Sequence, residues 1–132
     1  MNPIVTAARA CLGTPFVHQG RQPGVGLDCV GVAIHALRAC GYTVTDIPGY
    51  GRTPYGIALA EAIEAHEFLQ RVPDIAPGDI LLMRFEREPQ HIAIAGDDGT
   101  LIHAYEKVGR CVEHRLDDLW FWRVLRIYRV IA

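Results

Sequence analysis

The sequence predicts an α+β domain in which N-terminal helices pack on a C-terminal antiparallel β-sheet. Three observations predict it. Apolar residues recur at helical spacing through the first half of the chain, the period shifts from 3.6 towards 2 after Pro73, and no repeat, linker or low-complexity segment interrupts the change. With 132 residues, half of them hydrophobic, one domain spanning residues 1–132 can bury a real core.

In chain order, the first helix is capped by Asn2, carries Pro3 in its first turn, lines up Ile4, Ala8, Cys11 and Leu12, and stops at Gly13. Residues 14–27 hold Pro15, Gly20, Pro23, Gly24 and Gly26 and read as an irregular loop. Asp28 is the N-cap of a second helix running to about Cys40, with Val30, Ala33, Ile34 and Leu37 turned inward and Gly41 ending it. A third helix is expected from Thr53-Pro54 to about Gln70, burying Leu59, Ile63 and Phe68. Strands are expected over residues 79–85, 92–95, 101–106, 110–115 and 123–130.

A net charge of -2 gives no basic field for nucleic acid or an anionic membrane, so neither is an expected partner. Twelve of the thirteen basic residues are arginines, scattered from Arg9 to Arg129, which suits pair formation on the surface rather than a binding patch. Cys11, Cys29, Cys40 and Cys111 show no CxxC spacing and predict no disulfide framework. The first thirteen residues lack a basic n-region and a cleavage site, and no segment reaches membrane-spanning length, so a soluble protein made in the cytosol is expected.

Chemistry concentrates at Leu27-Asp28-Cys29-Val30-Gly31, where a thiol falls in the first turn of a helix behind a Gly-rich loop. Orphan N–H groups there favour a thiolate and would receive the oxyanion formed when an amide carbonyl is attacked, the N–H of Cys29 included. Cysteines so placed can have pKa values lowered to roughly 3.5–7.5. The Asp28 carboxylate opposes the thiolate unless it is occupied in capping. As a plain alternative, Cys29 is a small buried hydrophobe.

A cysteine nucleophile needs a base, and the chain has His18, His35, His66, His91, His103 and His114. Gly96-Asp97-Asp98-Gly99-Thr100 reads as a three-residue hairpin loop with Gly99 left-handed. In that register Gly96 pairs with Thr100, Ala93 lies opposite His103, and His91 sits diagonal to His103 on one face. Ile92, Ile94 and Ile102 fall on the other face, while Ala93 and Ala95 leave room beside the histidines for the start of the Cys29 helix. A two-residue turn at Asp98-Gly99 would instead send the two imidazoles to opposite faces. In the functional reading His91 takes the thiol proton or holds a thiolate–imidazolium pair, and His103 fixes the His91 ring.

His35 and His66 read as structural or exposed, and His114 has no evident partner. His18 and its neighbour Gln19 precede the nucleophile and should border the cleft. Trp120 and Trp122 read as packing residues. With no HExxH and no close cysteine pair, no metal is expected, and the glycines before Cys29 form no phosphate loop.

Five segments then fall into a recognisable order: Gly13-Thr14-Pro15-Phe16, Asp28-Cys29-Val30-Gly31, Pro77-Gly78-Asp79, His91-Ile92-Ala93-Ile94 and Ile102-His103-Ala104. Together they resemble the NlpC/P60 family of cell-wall peptidases, particularly its small phage-type members, over most of the chain. The resemblance implies a papain-like α+β fold, no cofactor, and catalytic roles for Cys29, His91 and His103. It also implies hydrolysis of an amide bond in a peptidoglycan stem peptide, commonly between D-γ-glutamate and a diamino acid. Many members have Tyr where Phe16 stands, its hydroxyl lying near the nucleophile, and Ser where Val30 follows Cys29. His18 or Gln19 is expected to supply part of that lost polarity. The phage-type likeness further implies delivery in a tail or gene-transfer particle. Two other readings use the same residues: a non-catalytic structural or wall-binding tail component, and an acyl transferase.

Overall fold

Asn2 caps α1 (Pro3–Arg9) through hydrogen bonds from the N–H groups of Ile4 and Val5 to its side-chain oxygen. The structure is a computed structural model that describes residues 2–47, 49–51, 57–87 and 89–131. Because α1 ends at Arg9, Leu12 leaves the inward stripe expected of it and is exposed. The following loop is partly regular: β1 (Arg21–Gln22) and β2 (Gly26–Leu27) form a small antiparallel ribbon. Then comes α2 (Cys29–Ala39), capped by Asp28 and followed by Gly41 at φ 91°, the left-handed stop its glycine allows.

Next, α3 (Ile57–Glu64) buries Leu59 and Ile63 as expected but does not run to Gln70; its expected start at Thr53-Pro54 lies outside the described residues. Leu69–Val72 instead forms β3, pairing with the last strand, β8 (Val124–Val130), from Leu69 opposite Val130 to Val72 opposite Ile127. A distant strand with free backbone groups thus outcompetes the local helical pattern. Phe68, at the turn, stacks on Tyr42 with ring centroids 5.0 Å apart.

The remaining strands are β4 (Ile80–Arg84), β5 (Pro89–Ala95), β6 (Thr100–Tyr105) and β7 (Arg110–Arg115), with a short helix, α4 (Asp118–Trp122), before β8. All pairings are antiparallel, in the order β3-β8-β4-β5-β6-β7. One sheet face presents Ile80, Leu82, Ile92, Ile94 and Ile102 to the three N-terminal helices. The opposite face holds Leu81, Met83, Ala93, Ala95 and Leu101 against Leu116, Trp120 and Ile127.

Two polar ties fix the sheet to the N-terminus. Arg9 bonds Asp97 in the hairpin loop at 2.8 Å and Glu113 on β7 at 2.9 Å. The Pro77-Gly78-Asp79 segment is held by Asn2, whose amide donates to the Pro77 carbonyl, and by Arg129, which bonds the buried Asp79 carboxylate.

Candidate active site

Cys29 is the first residue of α2, and among the described residues its N–H makes no hydrogen bond. The preceding loop is fastened to that helix start by Asp28. One Asp28 oxygen accepts from the Gly31 N–H and from Arg21, both at 2.9 Å; the other accepts from the Gln19 N–H at 2.9 Å and from the Tyr50 hydroxyl. Gln19 adopts φ 60°, a left-handed conformation uncommon outside glycine, which aims its N–H at Asp28. A carboxylate is acceptor-only, so Asp28 gives no hydrogen bond to an oxyanion; it shapes the site by holding the loop.

Histidines approach from the other side of the sheet. The Gly96 N–H donates to Thr100 O and Gly99 lies at φ 72°, giving the three-residue loop, and Ile94 pairs with Ile102. His91 and His103 therefore share a face, and His91 Nε2 lies 2.6 Å from His103 Nδ1. Both rings are buried. Phe85 packs on His91, Tyr105 stacks on His103, and Trp120 meets His103 edge-on. His114, for which the sequence offered no partner, lies 2.9 Å from His103 through their Nε2 atoms. It sits on the next strand, one further diagonal step away, a relation visible only once β6 and β7 are in register.

The expected approach of α2 to the histidine face is not what occurs. Val30, Ile34 and Leu37 of α2 pack with Ile92, Ile94 and Ile102, on the isoleucine face. Among the described residues the β5–β6 ladder covers only Ile94 with Ile102 and Ala95 with Leu101. Nearer the start of β5 the strands part, and the Ile92 N–H acts on the Cys29 sulfur. Cys29 and His91 open into one cleft of about 1390 Å³, with Phe16, Phe85, Gln90 and Tyr105 also on its wall. Among the described residues the sulfur and the His91 ring make no hydrogen bond to each other; they share the cleft.

Burial dominates the electrostatics. It pushes the Cys29 thiol up to about 12, the Asp28 carboxylate adding to the rise, while the N–H groups of Ile92 and Val30 and the Arg21 charge pull back. The lowered thiol pKa expected from the helix start is thus reversed. Burial also depresses His91 to about 3, with Arg123 and His114 contributing, and His103 to about 2, with His91 and His114 contributing. At neutral pH the cleft therefore holds a neutral thiol and a neutral imidazole.

Phe16 and His18 line a second cavity of about 510 Å³ that also reaches Cys29. His18 Nε2 lies 3.1 Å from the Tyr50 carbonyl. Gln19 lines neither cavity; its amide donates to the same carbonyl at 2.6 Å, so its polarity is spent on the Tyr50 loop. His66 is structural, its Nε2 accepting from the Thr45 N–H. Among the described residues no group of three or more His, Cys, Asp or Glu is arranged to hold a metal ion.

The NlpC/P60 family model matches residues 13–129, which include Cys29, His91, His103 and His114. The chain belongs to the NlpC/P60 family. Among solved structures it is similar to the NlpC/P60 domain of the peptidoglycan hydrolase SagA, at 24% identity and a TM-score of 0.66, over 98% of this chain and 100% of that one. It is also similar to an NlpC/P60 family protein from Bacillus cereus, at 15% identity and a TM-score of 0.73, over 98% of this chain but 40% of that one. A third is the peptidoglycan hydrolase RipB from Mycobacterium tuberculosis, at 15% identity and a TM-score of 0.69, over 98% and 64%. At these identities the likeness shows that the NlpC/P60 fold is common to all four. No curated protein matches the chain by sequence.

Proposed function

We propose that this NlpC/P60 domain is a cysteine hydrolase that cuts an amide bond in peptidoglycan stem peptides through an acyl-enzyme on Cys29. The observation that carries the reading is the shared cleft: Cys29 enters it from a helix start, and His91 enters it with one ring nitrogen already bonded to His103. Family membership supports the substrate class, as do SagA and RipB, which are peptidoglycan hydrolases.

With His91 Nε2 engaged by His103, His91 Nδ1 is the nitrogen left to receive the thiol proton. Because both partners are neutral at rest, the proton passes as sulfur attacks the carbonyl carbon, so no isolated thiolate has to persist at the half-buried Cys29. The Cys29 N–H, which makes no hydrogen bond among the described residues, receives the oxyanion. The imidazolium then returns its proton to the leaving amine, and water hydrolyses the thioester with His91 again as base. Cutting between D-γ-glutamate and the diamino acid, and delivery in a phage tail or gene-transfer particle, rest on the motif resemblance to phage-type members.

Digestion of purified muropeptides tests the reaction. Mass spectra of the products should show stem peptides cut at one amide bond by the parent chain and uncut by Cys29→Ala. Intact muropeptides after incubation with the parent chain would reject it. Phe16 and Val30 favour a second reading, a non-catalytic wall-binding tail component, which that second outcome together with retained binding to sacculi would support.

A further inference from the structure

We infer that His114 is a positioning residue that sets the tautomers of His103 and His91 in sequence, leaving the lone pair of His91 Nδ1 available to the thiol. Its catalytic relevance rests on the Cys29–His91 reading above; its structural content does not.

The inference follows from one acceptor. His114 Nδ1 lies 3.0 Å from the Arg115 carbonyl oxygen, and a carbonyl only accepts, so His114 Nδ1 carries a hydrogen. When it carries no second hydrogen, His114 offers a lone pair at Nε2. The nitrogen 2.9 Å away is His103 Nε2, which must be the donor. With its hydrogen at Nε2, neutral His103 accepts at Nδ1, and His91 Nε2, 2.6 Å away, must donate to it. His91 is left with its lone pair on Nδ1. The whole order is fixed from the edge of the sheet inward, by a backbone atom that cannot change its role.

The geometry suits such a relay. The three rings occupy adjacent strands β5, β6 and β7 on one sheet face, each a diagonal step from the next, since Leu101 pairs with His114 and His103 with Val112. Trp120 packs against both His103 and His114, with centroids 5.1 and 4.9 Å away, and Tyr105 stacks on the buried His103, so the His103 ring is held from two sides and the His114 ring from one. Burial holds His91 and His103 neutral, the state in which a ring has one donor and one acceptor. Without an acceptor at position 114, His103 has no reason to keep its hydrogen on Nε2. The reversed order would put a hydrogen on His91 Nδ1 and remove the base.

Histidine nitrogen NMR on the full chain, combined with kinetics of His114→Gln and His114→Lys, tests this. The parent chain should show Nε2-protonated His91 and His103 and Nδ1-protonated His114. Gln keeps an acceptor oxygen and should retain that order, with kcat within about threefold of the parent. Lys has only donors and should shift His91 towards the Nδ1-protonated form and lower kcat by about 10- to 100-fold at unchanged KM, the size typical of a lost supporting hydrogen bond. An Nδ1-protonated His91 in the parent chain overturns the relay whatever the variants do. So does a His114→Lys protein with parental tautomers and parental kcat. If the parent chain shows the expected tautomers but cleaves no muropeptide, the hydrolase reading fails while the relay stands.

Discussion

At Cys29 effects of opposite sign act on one sulfur. The start of α2 and the N–H groups of Ile92 and Val30 favour its anion, whereas burial and the Asp28 carboxylate oppose it and win. Alkylation of Cys29, followed by mass spectrometry of its peptide, should therefore be slow at pH 7 and rise only in the alkaline range; an acidic plateau would show a standing thiolate instead. Phe16 is the other informative side chain, because it lines both cavities that reach the sulfur. Phe16→Tyr adds a hydroxyl of the kind many family members carry there. It should raise kcat by about tenfold, since one well-placed oxyanion donor is worth about 100-fold or more where it is fully preorganised. An unchanged or lower kcat would mean that the Cys29 N–H already suffices or that the added hydroxyl points elsewhere.

At the scale of elements, the start of α2 is fixed by close contact as well as by capping. A Cβ on Gly31 would run into the Gly20 carbonyl, so the helix and the loop ahead of it touch backbone to backbone. In an ordinary helix, Gly→Ala stabilises by about 1 kcal/mol. Here Gly31→Ala should instead destabilise by about 1–3 kcal/mol in urea denaturation, the usual cost of overpacking. The start of α2 was legible in the sequence because Asp28, a capping residue, stands directly before the helical repeat of Val30, Ala33, Ile34 and Leu37. The three-residue hairpin was legible too, through Gly96 and Gly99, and with it the meeting of His91 and His103. Three features were not. β3 depends on a partner strand more than fifty residues away. His114 needs the β6–β7 register to reach His103. The side from which Cys29 arrives depends on where two strands part, and no local pattern encodes that.

Across the whole molecule, two buried neutral imidazoles tie stability to pH. His91 and His103 titrate at about 3 and about 2 in the folded chain, below an ordinary value of 6.5. Between those limits the unfolded chain binds protons that the folded chain refuses, so stability is full above about pH 6.5 and falls as pH drops through it. From pH 7 to 5.5 the two groups together should remove on the order of 2 kcal/mol from the unfolding free energy measured with denaturant. The depressed carboxylates Asp46, Glu64 and Glu113 lose their contribution only at lower pH, as they protonate, so they do not mask the effect. A flat stability between those pH values would show that the rings are charged or solvated. The same burial that makes the fold acid-sensitive keeps His91 neutral, with a lone pair to offer in the cleft it shares with the thiol. That pairing is tested most directly by the rate of peptide release from purified sacculi by the parent chain, Cys29→Ala and His91→Gln. Both substitutions should lower the rate by at least about 1000-fold, as removal of a nucleophile or its base does in a catalytic unit. Release at the parental rate by either protein would contradict a cysteine–histidine mechanism.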